Sequence, residues 1–496
     1  MNKYFLLCVT VLASISLSAA DAPKDGYLSS TNASYDGSSL LLTGHVVLDH
    51  GLGKMTAEEA SLEKQEAGKD FPFSLILLRK EVLLSLKSNG QILCDKAELD
   101  FTSLKGQLTA PLTGLVTYSD TLSHKGSADT QLTLQAPSIE LSMLKSEISD
   151  KKSDYDVDTI LAKDSVTIDY NKEFILKADH ALYRKAGIGK TSPTKEFQGI
   201  ITAYPKDASS PCTIHHGQDV IEASYIDLDL IQSQLCMHKP SGTLSSSLIS
   251  QLQKGSIQFT SDNLTWDRIK ERLTLKGKSK VVESSLGTIL TEEEIIISQA
   301  TLKGKKVVSK IETKGATQLI YQELTPGTYH KISCYGTMKI DREHLYATLT
   351  SPRNEGKRDS FAEQVYYEET HMGAYADTGS VEYSIEGERL QPVSLSLKGN
   401  ICLFSREQEP FRCSIADRMT YSPSTKTLIL SANPGQRVLF WDEQQLVRMS
   451  AQEVHLTQNP ATQQMVIQGV GNVKFNLSTE ENETLKKFFP AYKPLP

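Results

Sequence analysis

The fold is decided by a short pattern that recurs along the chain, seen most clearly in residues 176–183 (LKADHALY). An apolar residue, a spacer and a small residue precede an acid, and apolar or small residues follow at alternate positions. Residues 55–62 (MTAEEASL) and 92–99 (ILCDKAEL) have the same form. Weaker copies centre on Ala136, Ala223, Ser261, Thr291, Cys334, Ala376, Ala416 and Ala451. The eleven copies lie about 39 residues apart on average, and such regular spacing indicates a repeat architecture.

A second apolar segment precedes many of the small-residue segments, and residues 399–403 (GNICL) are a clear example. Related segments are residues 44–48 (GHVVL), 80–84 (KEVLL), 164–168 (DSVTI) and 436–440 (QRVLF). Alternation of apolar residues runs from about residue 39 to 477 and is typical of strands. We therefore predict an all-β fold, an elongated stack of antiparallel strands built from about eleven repeats of roughly 40 residues.

Length and composition restrict the class of protein further. The chain has 496 residues, of which 39% are apolar, and its net charge is −7. Disordered chains are poorer in apolar residues and carry more unbalanced charge, and membrane-spanning helices need longer apolar runs than this chain contains after its N-terminus. The acidic balance argues against a nucleic-acid partner. We expect a folded protein with no transmembrane anchor and no nucleic-acid partner.

The first twenty residues have the organisation of an export signal. Lys3 supplies a positive charge, residues 5–15 are apolar, and Ser18 and Ala20 are the small residues that a signal peptidase requires. We predict a cleavable signal peptide over residues 1–20.

The remaining chain divides at polar interruptions. We expect repeats over residues 21–240, a Ser-rich interruption with a short helix over 241–256, further repeats over 257–478, and a C-terminal tail over 479–496.

The two recurring segments together resemble the OstA-like repeat of the lipopolysaccharide-transport proteins LptA and the periplasmic part of LptD. The residues that carry the resemblance are 42–46 with 55–58, 177–181, and 398–401 with Ala416 and Asp417. The resemblance implies a β-jellyroll, or β-taco, whose apolar interior holds acyl chains. It also implies a periplasmic protein that carries or bridges lipopolysaccharide, or a related acylated lipid, to the outer membrane. Whether the protein associates with that membrane is left open.

Repeat geometry suggests how such a protein would find partners. Each end of a strand stack exposes an unpaired edge, which can accept a strand from another sheet. We therefore expect edge-to-edge β docking to other transport components or to a second copy of the chain.

Strand alternation selects the residues that would line a lipid trough. Side chains two residues apart share a face, and small residues would keep the trough wide. The predicted trough residues are Val46, Leu48, Ala57, Val82, Leu84, Val166, Ile168, Ala178, Ile401, Leu403, Val438 and Phe440. Candidates for a rim that pairs with charged headgroups are Lys163, Lys276 and Lys398. The alternative is a structural or adhesive β-solenoid, in which the protein's own side chains fill the core and no lipid binds.

A few residues bear on disulfide formation, metal binding and catalysis. Cys402 and Cys413 flank a predicted hairpin and are our first candidates for a disulfide among the six cysteines that follow the signal peptide. The histidines near Cys212 and Cys236 fit no usual zinc spacing, and the familiar hydrolase and zinc-protease motifs do not occur. We expect no enzyme activity, no cofactor and no metal site.

Overall fold

The computed structural model describes residues 27–490 apart from several internal segments. These segments are residues 65–72, 88, 112–113, 123–129, 150–151, 186–198, 208–209, 245–255, 284–286, 303–304, 323–328, 353–362, 387–388, 407–410 and 459–464. The described residues form 39 strands, all in one antiparallel sheet, and one α-helix. The predicted all-β stack of antiparallel strands is thereby confirmed. The predicted signal peptide lies outside the described residues.

The chain forms two compact units. The first consists of Met1–Thr121, Gln135–Ile160 and Gly187–Thr191, and the second of Leu122–Leu134, Leu161–Ala186 and Ser192–Pro496. Three strands have residues in both units: β8 (Val116–Leu122), β9 (Thr130–Ala136) and β11 (Lys152–Tyr170).

The first unit is built mainly from antiparallel strands of two to twelve residues. They are β1 (Leu28–Ser29), β2 (Asn32–Tyr35), β3 (Ser39–His50), β4 (Gly53–Glu63), β5 (Leu75–Leu86), β6 (Gln91–Asp100), β7 (Lys105–Thr109) and β10 (Ser138–Ser149). Strands β3 to β6 pair in sequence order, and the register shifts in the middle of each pair. Each long strand is therefore divided into two straight parts.

The second unit contains the remaining strands and the helix. They are β12 (Phe174–Arg184), β13 (Ile200–Tyr204), β14 (Cys212–His216), β15 (Asp219–Ala223), β16 (Tyr225–Asp229), β17 (Gln234–His238), β18 (Ser241–Leu244), β19 (Ile257–Thr260), β20 (Asn263–Asp267), β21 (Arg272–Lys276), β22 (Ser279–Glu283), β23 (Gly287–Thr291), β24 (Glu294–Leu302), β25 (Lys305–Lys314), β26 (Thr317–Gln322), β27 (Tyr329–Cys334), β28 (Thr337–Asp341), β29 (Tyr346–Thr350), β30 (Val365–Glu368), β31 (Met372–Ala376), β32 (Thr378–Glu386), β33 (Arg389–Ser405), β34 (Arg412–Ser422), β35 (Thr427–Ser431), β36 (Val438–Asp442), β37 (Val447–Ala451), β38 (Glu453–Gln458), β39 (Met465–Val470) and α1 (Thr479–Phe488).

Hairpins of the second unit alternate between two ladders of hydrogen-bonded strands. Ladder A comprises β13, β16, β17, β20, β21, β24, β25, β28, β29, β32, β35, β38 and β39, and ladder B comprises β14, β15, β18, β19, β22, β23, β26, β27, β30, β31, β36 and β37. The long strands β12, β33 and β34 pair with strands of both ladders. We use the word corner for each point at which the chain passes from one ladder to the other. Each full repeat thus contributes one hairpin to each ladder.

The two recurring sequence segments correspond to the two directions of crossing. Within β33, Gly399 and Asn400 have φ of 80° and 49°, and this left-handed pair bends the strand from ladder A to ladder B. The small residues from Ala178 to Ala451 lie at the corners that lead from ladder B to ladder A. In the first unit the register shift of β3 coincides with positive φ at Gly44 and His45. The repeat therefore encodes bends of the backbone.

The acid that follows the small residue caps the next corner. Asp377 Oδ2 accepts a hydrogen bond from Asn400 Nδ2 at 2.8 Å, and Asp262 Oδ2 accepts one from the backbone N–H of Lys278 at 2.9 Å. Asp417 likewise accepts from the backbone N–H of Asn433 at 2.7 Å. Corner backbone groups leave the strand ladder and need such partners. These acids are therefore structural.

The predicted interruption and tail both contain regular structure. Ser241–Leu244, the start of the 241–256 segment, forms β18 and pairs with β15 and β19. The rest of its predicted helix lies outside the described residues. Residues 479–488 of the tail form helix α1, whose Leu485 is fully buried against the outer face of ladder B. The tail is thus outside the ladders but packed on one of them.

Candidate functional site

The predicted trough residues lie on the inner faces of the strands in their respective units. Eleven of the twelve are at most 4% exposed, and Ala178 is half-buried. Those eleven are Val46, Leu48, Ala57, Val82, Leu84, Val166, Ile168, Ile401, Leu403, Val438 and Phe440. Since such small exposed fractions mean that neighbouring side chains cover these residues, the interior around them is packed by the protein itself.

In the second unit the ladders also meet on the side away from the corners, where their hairpin turns contact each other. We call this line of contact the seam. Arg342, in the turn between β28 and β29 of ladder A, donates to both carboxylate oxygens of Glu283, which ends β22 of ladder B. The distances are 2.9 and 3.3 Å, and the two side chains are only 2% and 3% exposed. This bidentate ion pair joins the ladders inside the seam.

A second ion pair joins the ladders elsewhere along the seam. Arg268, after β20 of ladder A, forms an ion pair with Glu173, in the turn before β12. The Arg268 guanidinium also lies 4.7 Å above the ring centroid of Tyr170. Nearby, Trp266 of ladder A meets the edge of His216 of ladder B at a centroid distance of 5.6 Å. Charged and aromatic side chains together close this part of the seam.

A third contact is made by aromatic rings and a buried acid. His330 and Tyr367 of ladder B share a hydrogen bond of 2.8 Å between Nδ1 and the phenol oxygen. Both rings lie within 6.5 Å of the ring of Tyr421, on the part of β34 that pairs with ladder A. Burial raises the pKa of the neighbouring Glu369, although His330 opposes the shift. This part of the seam is therefore polar as well as aromatic.

The first unit has an aromatic cluster of its own. His50 lies between Phe101 and Tyr155, with ring centroids 4.2 and 5.1 Å away. Loss of hydration lowers the pKa of His50 to about 4, and the nearby Lys87 ammonium adds to the effect. Lys87 also forms a 2.8 Å ion pair with Asp154. His50 is consequently a neutral, packed side chain at pH 7.

The three predicted headgroup lysines occupy equivalent positions in three different repeats. Lys163, Lys276 and Lys398 each immediately precede a corner, and each lies on the outer face of its strand, since the residue before each lysine is buried. Lys276 lies 3.9 Å from Glu294. The lysines thus lie on the corner side, whereas the ion pairs that join the ladders lie at the seam.

All six cysteines after the predicted signal peptide are free thiols. Cys402 and Cys413 lie on adjacent strands, but Cys402 is opposite Ile415 and Cys413 is opposite Phe404. Both belong to one apolar cluster on the outer face of ladder B. Burial raises the pKa of Cys402 to about 12 and also raises that of Cys413, so neither thiol is reactive at neutral pH. The structure does not form the predicted disulfide between them.

In the part of the chain that the structure describes, no three His, Cys, Asp or Glu side chains converge as a metal site would require. The one helix of that part is too short and too polar to span a bilayer.

No protein-family model and no curated protein matches this chain.

The seam residues are the feature that the sequence analysis missed. Glu283 lies two residues after the inward Val281, and Arg342 lies two residues after the inward Ile340. Strand alternation therefore places both charges on the inner face, where an unpaired charge would be costly. A charged residue in an inward position was the available signal, although alternation alone does not reveal that the two charges meet.

Proposed function

We propose that this protein is a periplasmic lipid-binding protein that shields acyl chains between its two ladders and carries or bridges lipopolysaccharide, or a related acylated lipid, to the outer membrane. The proposal is supported by the resemblance of the repeats and, above all, by the contrast between corners and seam. Corners are continuous backbone, whereas the seam contacts described above are made by side chains. Opening the seam would therefore leave both strand ladders intact.

The free energies involved make it feasible for a bound acyl chain to replace an ion pair of the seam. Separating one buried ion pair costs roughly 3–5 kcal/mol when its partners are left uncompensated. An acyl chain of about twelve carbons buries methylene groups worth roughly 0.8 kcal/mol each, or roughly 10 kcal/mol in total. One chain inserted between Arg342 and Glu283 would more than offset the loss of that pair.

Docking through strand edges forms part of the proposal. Among the described residues, β39 pairs with β38 on one side, and its Val466 and Val470 are 52% and 37% exposed. An edge strand with exposed apolar side chains is a template for a strand of another sheet. The partner would be another transport component or a second copy of the chain.

A second candidate function is a structural or adhesive β-solenoid with a filled core. The observation that favours it is the exposure of at most 4% at eleven of the twelve predicted trough residues. A core packed this densely in the absence of ligand needs no lipid for its stability.

Photocrosslinking in cells separates the two candidates. We would place a photoreactive amino acid at the inward positions Val166 and Ile401, and at Thr167 as the outward control. A lipid carrier should give lipopolysaccharide adducts at the two inward positions only. Adducts confined to Thr167, or none at any position, would exclude lipid uptake between the ladders.

Native mass spectrometry of the purified protein provides an independent measurement. A carrier should retain acylated lipid, and the Glu283→Gln variant, whose seam is weakened, should load faster than the parent protein. The matched control is Glu312→Gln, which removes a solvent-accessible ion pair with Lys339. A protein without lipid under all of these conditions would support the filled solenoid.

A further inference from the structure

A small apolar pocket lies on the outer face of ladder B, next to helix α1. Its volume is about 260 Å³. Tyr375, Cys402 and Phe404 form the wall on the sheet, and Phe488 and Phe489 form the wall at the end of the helix. Cys402 and Phe404 alternate along β33 with residues that face the interior, so the sheet itself separates the pocket from the space between the ladders.

Helix α1 holds the second wall in place. Ser478 caps the helix by accepting a hydrogen bond from the Glu481 N–H, and the Glu481 carboxylate accepts one from the Ser478 N–H at 2.7 Å. Glu481 also accepts a 2.9 Å hydrogen bond from Ser450 Oγ of β37. Leu485 is fully buried on the sheet. Since cap and core contacts both fix the helix, the pocket exists before any ligand arrives.

The lining of the pocket restricts the ligand to an apolar one. Five of the seven lining residues are Phe or Tyr, the other two are Cys402 and Pro490, and none carries a charge. A peptide or sugar would leave its polar groups without partners there. Apolar cavities of about 150 Å³ remain dry and take up small apolar molecules. The volume is smaller than the roughly 300–1,000 Å³ typical of drug-sized ligands, so it suits one narrow chain.

The orientation of the aromatic rings and a nearby positive charge further restrict the class of ligand that the pocket could bind. The rings of Tyr375 and Phe404 lie at 22° to each other, whereas Phe411 and Phe489 meet at 65°, so the walls do not form a parallel slot for a flat molecule. The Lys487 ammonium lies 5.8 Å from the ring centroid of Phe488, which is one of the lining residues. Its positive charge would attract an anionic headgroup.

From these observations we infer that the pocket binds the alkyl chain of a single-chain anionic amphiphile, such as a fatty acid, with its headgroup beside Lys487. This site is distinct from the space between the ladders and does not depend on the proposed lipid transport. Because each buried methylene contributes about a fourfold gain in affinity, affinity should rise with chain length until the pocket is full.

The two tryptophans of the chain allow both sites to be observed separately. Trp441 packs against Phe411, which lines the pocket, at a centroid distance of 5.6 Å. Trp266 is buried at the seam. We would titrate Trp266→Phe and Trp441→Phe variants with dodecanoate brominated at its end, since bromine quenches indole fluorescence. The inference predicts saturable quenching in Trp266→Phe, which retains Trp441. Quenching restricted to Trp441→Phe would instead report binding between the ladders and overturn the outer site.

Matched variants test the two contacts that define the ligand. Cys402→Met should fill the pocket and weaken dodecanoate binding at least tenfold. Lys487→Gln should weaken dodecanoate binding several-fold but leave dodecanol binding unchanged, and Lys486→Gln on the same turn should change neither. Equal affinity for dodecyltrimethylammonium, or no effect of Cys402→Met, would overturn the inference.

Other occupants would give different results in the same assay. If residues 491–496 fill the pocket, a variant that ends at Pro490 should bind dodecanoate while the full chain does not. If a second copy fills it, quenching should disappear as protein concentration rises and dimers form. Either result would contradict the inference.

Discussion

Replacing Arg342 with methionine should destabilise the second unit strongly. The substitution leaves the Glu283 carboxylate, whose side chain is 3% exposed, without its bidentate partner. Breaking a buried pair on one side costs about 3–5 kcal/mol. Glu283→Leu should cost a similar amount because it leaves the guanidinium uncompensated.

The double variant Arg342→Met/Glu283→Leu should recover most of that loss. Replacing both members of a buried pair with apolar side chains is neutral or stabilising by about 1–4 kcal/mol in other proteins. Arg342 Nε has no hydrogen-bond partner in the part of the chain that is described, so the guanidinium is incompletely satisfied even in the native pair. Replacing both members of the pair removes this unsatisfied group, so the double variant should recover more of the lost free energy of unfolding.

The proteins to compare are the parent, the two single variants and the double variant, all carrying Trp441→Phe so that only the buried Trp266 fluoresces. Their urea unfolding, followed by this fluorescence, would measure the coupling as a double-mutant cycle. Lys314→Met is the matched control, because its ion pair with Glu294 is short, at 2.6 Å, but the lysine side chain is 58% exposed. That control should change the free energy of unfolding by less than about 1 kcal/mol. The reasoning is refuted if the single variants are as stable as the control, or if the double variant is as unstable as either single one.

Three further perturbations test other parts of the structure. Gly399→Ala introduces a side chain at φ 80° whose Cβ would clash with Asp377 Oδ2, whereas the Cβ of Gly435→Ala, at φ 84°, meets nothing within 4 Å. Thermal unfolding should show a cost of about 1–2 kcal/mol for Gly435→Ala and clearly more for Gly399→Ala. The His50 pKa of about 4 lies below its unfolded value, so the neutral form stabilises the fold above pH 6.5, and about 3 kcal/mol should be lost as pH falls from 6.5 to 4. His50→Phe should remove that part of the pH dependence, and an unchanged profile would contradict the assignment. Ser478→Ala removes the helix cap and should raise amide hydrogen exchange in α1, with a cost of about 1 kcal/mol; protection equal to that of the parent protein would show that the cap is dispensable.

Much of the fold could be predicted because it depends on local information. The positions of Ala178, Ala376 and Ala416 follow from a repeated pattern that forces the chain to bend at the same place in each unit of sequence. Alternation also correctly placed Val166 and Ile401 on an inner face. What the pattern does not contain is the role of the acid, since Asp377 acts on Asn400, more than twenty residues later.

The candidate site was harder to predict because it depends on contacts between distant segments. Glu283 and Arg342 are 59 residues apart, and Glu173 and Arg268 are 95 apart. Nothing in either local sequence specifies its partner. The sequence of the C-terminal tail likewise gives no indication of the face of the sheet that α1 covers.

The sequence by itself determined the all-β class, the spacing of the corners and the residues that face inward, because strand periodicity and left-handed backbone bends are properties of a few consecutive residues. Only the tertiary structure decided that the interior is packed, that two ion pairs, one of them buried, join the ladders at the seam, and that α1 and the sheet form an outer pocket. These features depend on how closely two ladders and a helix approach one another. That distance is set by side chains that meet from remote parts of the chain, and local periodicity carries no information about it.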